Sequence, residues 1–164
     1  MIVTVVEIQK ILTSTYFVSP SDIPSVVFRI CIALIVGAII GLERQLQNKP
    51  AGLRTHMLVS FGSALFVLIP LQMGVHSDSP DAVSRVIQGV AAGVGFLGAG
   101  EILRTTRDRD GELADIRGLT SAAAIWVSAA NGVVSGCGLW QLSLISAVLG
   151  LLVLRVFKHI ERRI

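Results

Sequence analysis

The sequence predicts an all-α fold, a polytopic transmembrane helical bundle of about five spans preceded by a short interfacial helix. Three observations lead there. Hydrophobic residues make up 52% of the 164 residues and charged ones only 15%, with mean hydropathy +0.73, whereas roughly a quarter of a soluble domain is charged. The apolar residues gather in continuous runs of about 20, the length that crosses a bilayer as a helix, and do not alternate with the period of two of a membrane β-barrel. The basic residues crowd every second junction between the runs. The spans fall at about 23–42, 55–74, 86–103, 119–136 and 139–157. The expectation is one transmembrane domain over residues 1–164 with no C-terminal cytosolic domain.

Ahead of the first span, Met1, Val5, Ile8 and Leu12 share a helical face while Glu7, Lys10 and Ser14 lie off it. Pro20 and Pro24 end the segment. It is too short and too charged to cross, which predicts a helix lying in the interface. With no basic leading region and no evident cleavage site, it does not read as a signal peptide.

The junction between spans one and two holds Arg44, Lys49 and Arg54, and that between three and four holds Arg104, Arg107, Arg109 and Arg117. The tail adds Arg155, Lys158, Arg162 and Arg163, whereas the opposite ends carry only Lys10, Arg85 and, inside span one, Arg29. Lys and Arg accumulate on the cytoplasmic side, which predicts the N-terminus outside and the C-terminus in the cytoplasm. The net charge of +3 therefore expresses topology. The expected surroundings are a lipid bilayer, and no nucleic-acid partner is expected.

In lipid, helices associate where small residues let backbones approach and where polar side chains bond across. Gly37 and Gly41, Gly89 and Gly93, and Gly132 and Gly136 each make a GxxxG step, and Gly62, Gly95, Gly98 and Gly100 add to the small-residue surface. Ser121, Ala124, Ser128, Asn131 and Ser135 recur at helical spacing on span four, and His56, Ser60 and Ser63 on span two. Span five offers Ser143, Ala147 and Gly150. These faces should turn inward, either as interhelical hydrogen bonds or as the wall of a hydrated path. Arg29, roughly 9 Å into span one, either snorkels toward Asp22 or pairs with the interior near Asn131 or Ser135. Cys31 and Cys137 lack metal-ligand spacing and read as packing residues.

The segment from Gly41 to Arg54 sets Glu43, Arg44, Lys49 and Arg54 between two spans, with Asn48-Lys49-Pro50-Ala51-Gly52 as turn chemistry. Antiparallel spans would bring Glu43 near Arg54 and Arg117. Two uses are open: an ion-pair network locking spans one, two and four, or a ligand, ion or partner site.

Gly-Leu-Glu-Arg at 41–44, Ala-Gly-Leu-Arg-Thr-His at 51–56, Gly-Ser-Ala-Leu-Phe at 62–66, Gly-Phe-Leu-Gly-Ala-Gly at 95–100 and Ile-Arg-Gly-Leu-Thr at 116–120 occur in order. This set resembles the signature of the MgtC/SapB family, from about Arg29 to Gly138. The resemblance implies a bacterial inner-membrane protein linked to magnesium homeostasis and to survival inside host cells, hence to virulence. It further implies regulation through membrane partners, in some members the proton-translocating ATP synthase. On it, the polar network comprises Glu43, Arg44, Arg54, Thr55, His56, Arg117 and Thr120, with Arg29, Ser128 and Asn131 inside the membrane. Glu101 stands where the family usually has an apolar or small residue, and Asp115 where it often has Asn. Arg104, three residues beyond Glu101, offers it an interfacial pair. No metal and no cofactor are assigned.

No phosphate loop, nucleophile elbow or His-Glu metal pair occurs, and the Gly-rich run at 93–100 lies in an apolar span with no strand before it. The expected class is therefore not an enzyme. It is a regulatory membrane protein or, alternatively, a small oligomeric ion or solute transporter.

Overall fold

The structure, a computed structural model, describes residues 22–73, 81–106 and 118–157. The interfacial helix expected at the N-terminus, Asp115 and Arg117 lie outside these residues. The described chain is helical throughout: α1 (Ile23–Leu46), α2 (Leu53–Gln72), α3 (Asp81–Thr106), α4 (Leu119–Gly136) and α5 (Trp140–Leu152), which runs into a π-helical turn over Val153–Phe157. Helices α1 to α4 are long and apolar enough to cross a membrane, and Trp140–Val156 is a shorter apolar helix.

Local chemistry sets the ends. The Asp22 carboxylate accepts from the Ser25 N–H at 3.3 Å, satisfying a donor of the first turn. Pro24 sits in that turn, where a missing N–H does no harm. At the other end α1 runs to Leu46, past the expected boundary at 42. The reason is that Glu43 and Arg44 are buried inside the bundle, so the helix continues through them. Asn48, at φ 51, turns the chain and Gly52 starts α2. Gly118 and Gly138, at φ 93 and 83, start α4 and close the α4–α5 turn.

Helices α2 and α4 share the centre, with α2 against α1 and α4. Helix α4 also meets α1, α3 and α5, and α5 leans on α1 and α4. Helix α3 touches α2 over a smaller area and is the least buried of the four spans. Ile32, Val36 and Ala147 tie α1 to α5, Val67, Leu71, Val83 and Val133 join α2, α3 and α4, and Ala51, Val94, Ile125 and Ala129 fill the other end.

Glycine decides the tightest contacts. A Cβ on Gly37 would lie 2.7 Å from the His56 carbonyl oxygen, and one on Gly41 2.8 Å from Leu53 Cα. A Cβ on Gly132 would lie 2.0 Å from the Ser60 carbonyl oxygen, and one on Gly136 2.9 Å from that of Ala64. Helices α1, α2 and α4 therefore meet backbone to backbone. The α3 glycines behave otherwise. Only Gly98 meets a neighbour, Ala122 Cβ at 3.4 Å, while Gly62 on α2 and Gly89, Gly93, Gly95 and Gly100 face open space.

Candidate functional site

The polar stripe on α4 and the polar face of α2 both turn inward, as their spacing predicts, and meet. Ser121, Ser128, Asn131, Ser135, His56, Ser60 and Ser63 are all buried. His56 Nδ1 lies 2.8 Å from Ser128 Oγ, joining α2 to α4. Ser60 donates to the Ala33 carbonyl at 2.7 Å, joining α2 to α1. About two turns back toward the start of α4, Arg44 Nη2 donates to Ser121 Oγ at 2.8 Å. Its Nη1 stands 3.9 Å from Glu43 Oε2, and the other Glu43 oxygen accepts from Gln47. The buried Glu101 also acts electrostatically on Arg44.

Arg44 is thus the hub at this end, held by the Glu43 carboxylate and the Ser121 hydroxyl. Its own Nε, and Glu43 Oε2 and His56 Nε2 near it, have no hydrogen-bond partner. Arg54 and Thr55 are exposed, as is Thr120. The expected Glu43–Arg54 pair is not formed, because two residues along a helix rotate a side chain by about 200°. With His56 facing in, Arg54 faces out.

At the opposite end Arg29 is 2% exposed and its Nη1 donates to the Gly136 carbonyl at 2.8 Å. The Asp22 carboxylate is close enough to act on its charge. Arg29 caps the C-terminus of α4, where unpaired carbonyls carry partial negative charge. Its guanidinium lies over Gly138, where a Cβ would come within 2.8 Å of Cζ. Cys137 sits in the same turn; burial pushes its thiol up, against the pull of the Arg29 charge. Between these ends, Asn131 links α4 to α5. Its carbonyl accepts from Ser135 at 2.8 Å and Ser143 at 3.2 Å, Ser135 and Ser143 pair at 2.8 Å, and its side-chain oxygen accepts from Ser146.

Sequence reasoning brought Glu43, Arg44, His56, Ser128, Asn131 and Arg29 to attention. It left out Ser121 as the Arg44 partner, Gln47, and the Gly136 carbonyl. Ser121 opens the stripe already read on α4, so its partner was within reach. A backbone acceptor carries no sequence signal. Among the described residues no group of three or more His, Cys, Asp or Glu is placed to hold a metal ion.

Apolar spanning helices with charges buried in interhelical bonds define a multi-pass helical membrane protein. The chain belongs to the MgtC family, whose model matches residues 30–163. It is 50% identical to protein SrpB of Synechococcus elongatus, over 89% of this chain and 82% of that protein. It is 42% identical to YhiD of Escherichia coli (strain K12), named as a candidate magnesium transporter, over 84% of this chain and 63% of YhiD. To protein MgtC of Salmonella typhimurium (strain LT2) it is 39% identical, over 71% of this chain and 46% of that protein. The chain thus spans less than two thirds of the length of the last two relatives. No solved structure matches it.

Proposed function

We propose that this chain is a bacterial inner-membrane protein, N-terminus outside and C-terminus cytoplasmic, linked to magnesium homeostasis and to virulence. In this reading it catalyses no reaction and acts by helix contact on a larger membrane partner such as the ATP synthase. One observation carries the reading: polar side chains of α1, α2 and α4 are spent on holding those helices together, while α3 keeps an unoccupied outward face. That face carries Gly100 in open space, one turn from Phe96, 82% exposed. Small residues beside a large apolar one are what a second helix packs against in lipid. The name of the Escherichia coli (strain K12) relative supplies the link to magnesium.

Photo-crosslinking in native membranes from a reactive residue at position 96 tests this. Adducts to a distinct membrane protein are expected. Adducts to this chain alone would sink the regulatory reading.

A second reading, a small oligomeric transporter, is favoured by the buried atoms without hydrogen-bond partners, Glu43 Oε2, His56 Nε2 and Asn131 Nδ2. Its test is flux. If the purified protein moves Mg²⁺ or protons into proteoliposomes and Glu43→Gln abolishes the movement, the transporter reading replaces the regulatory one.

A further inference from the structure

We propose that the groove between α2 and α3 binds an anionic phospholipid of the leaflet at the Arg44 end, acyl chain in the groove and phosphate on Arg54. The groove encloses about 610 Å³, inside the ~300–1,000 Å³ of small-molecule sites. Leu58, Gly62 and Phe66 line it on α2, and Gly89, Gly93 and Leu97 on α3. The three glycines make it deep, since none has a neighbour within 4 Å of where a Cβ would stand.

Its length selects the occupant. Leu58 to Phe66 is roughly 12 Å of helix and Val86 to Leu97 roughly 16 Å, about half of the ~30 Å hydrocarbon core. A crossing partner helix would call for a seat running the full thickness, whereas an acyl chain of one leaflet needs half.

The polar end of the groove matches the polar end of a lipid. Arg54 and Thr55 stand one turn before Leu58 and Val59, on the same faces of α2. They line a hollow of about 490 Å³ with Gln45, Gly52 and Leu53. Arg54 is exposed, and the ion pair found among the described residues joins Arg44 to Glu43, not Arg54. Its guanidinium is therefore available where a headgroup phosphate lies, and its fork suits phosphate oxygens. Phe96 and Gly100, each seven residues beyond Gly89 and Gly93, border the same side of α3, so the two readings are separated by their tests: lipid retention by the isolated chain for this one, crosslinking from position 96 for the other.

The test is native mass spectrometry of the delipidated full chain in detergent, titrated with dioleoyl phosphatidylglycerol or dioleoyl phosphatidylcholine. The expected result is one retained lipid, with phosphatidylglycerol preferred. Arg54→Gln should lower phosphatidylglycerol retention about fivefold, the equivalent of ~1 kcal/mol for one basic side chain at an anionic surface. Arg54→Lys should restore most of it. Gly93→Leu, which meets nothing in the fold, should abolish retention of both lipids while helicity by circular dichroism stays unchanged. Equal retention of the two lipids by the native chain, or undiminished selectivity in Arg54→Gln, overturns the proposal. So does a Gly93→Leu chain that keeps its lipid, or one whose change is loss of a dimer.

Discussion

A guanidinium taken into a helical bundle must replace its hydration with fixed acceptors, and the two arginines buried among the described residues do this differently. Arg29 uses backbone: the Gly136 carbonyl at 2.8 Å belongs to a helix end that has acceptors to spare. Truncation to Ala strands that end, and thermal unfolding in detergent should show a loss of about 1–3 kcal/mol. Lys, a point donor without the planar fork, should recover only part of it. Full recovery by Lys would mean that Arg29 is a mere interfacial anchor. Arg44 uses a side chain, Ser121 Oγ. Ser121→Ala should cost ~1.5 kcal/mol, as hydrogen bonds to charged groups do, whereas Thr55→Ala, at an exposed site, should stay within ~0.5 kcal/mol. Equal effects in the same melting assay would remove Arg44 as hub. The residue scale was half legible in the sequence. The spacing that turns His56, Ser60 and Ser63 inward also turns Arg54 outward, so closeness in a loop was a poorer guide than rotation about the helix. The partner of Arg29 could not be read, because a carbonyl belongs to every residue.

Between elements, glycine spacing carries information only together with the neighbour it meets. The GxxxG steps on α1, α3 and α4 look alike in sequence, yet those on α1 and α4 press on the α2 backbone while Gly89 and Gly93 on α3 face nothing. The difference arises because α1, α2 and α4 all pack on one another, which leaves α3 outside them to pack through Val83, Val94 and Gly98. Substitution separates the cases. Gly132→Ala drives a methyl to 2.0 Å from the Ser60 carbonyl oxygen and should destabilise by ~3 kcal/mol, the upper part of the usual overpacking range, or prevent assembly. Gly89→Ala, at the same spacing, should leave stability unchanged or raise it by up to ~1 kcal/mol through helix propensity. Denaturant titration of both variants measures the gap, and equal losses would contradict the central position of α2. Helix existence was legible from hydropathy alone. Helix ends were not, since α1 continues beyond its apolar run wherever buried partners accept its charges.

At the scale of the whole molecule, the alternation of the helices gathers Arg44, Glu43, His56, Ser121 and Glu101 at one end and Arg29, Gly136 and Cys137 at the other. Two opposed charged clamps, joined through the middle by neutral Ser and Asn hydrogen bonds, match a bundle inserted once and fixed in register. The orientation proposed above rests on the basic residues: the junction of α1 and α2 adds Lys49 and Arg54 to the Arg44 end, and Arg104, Arg107, Arg109 and Arg117 come between α3 and α4 in sequence, against Arg29 and Arg85 opposite. Positive charge is retained in the cytoplasm during insertion, before any side chain is buried, so Arg29 counts in this balance even though folding later hides it. The imbalance favours the Arg44 end inside by a wide margin. A fluorescent reporter that matures only in the cytoplasm should therefore glow when fused after Ile164 and stay dark when fused to a chain truncated after Gly138, with both fusions present in membranes by immunoblot. The inverse pattern would reverse the orientation and move the lipid proposed at Arg54 to the outer leaflet. A glow from both fusions would place Gly138 and Ile164 on the same side and remove the last crossing, the one assigned to the short helix α5.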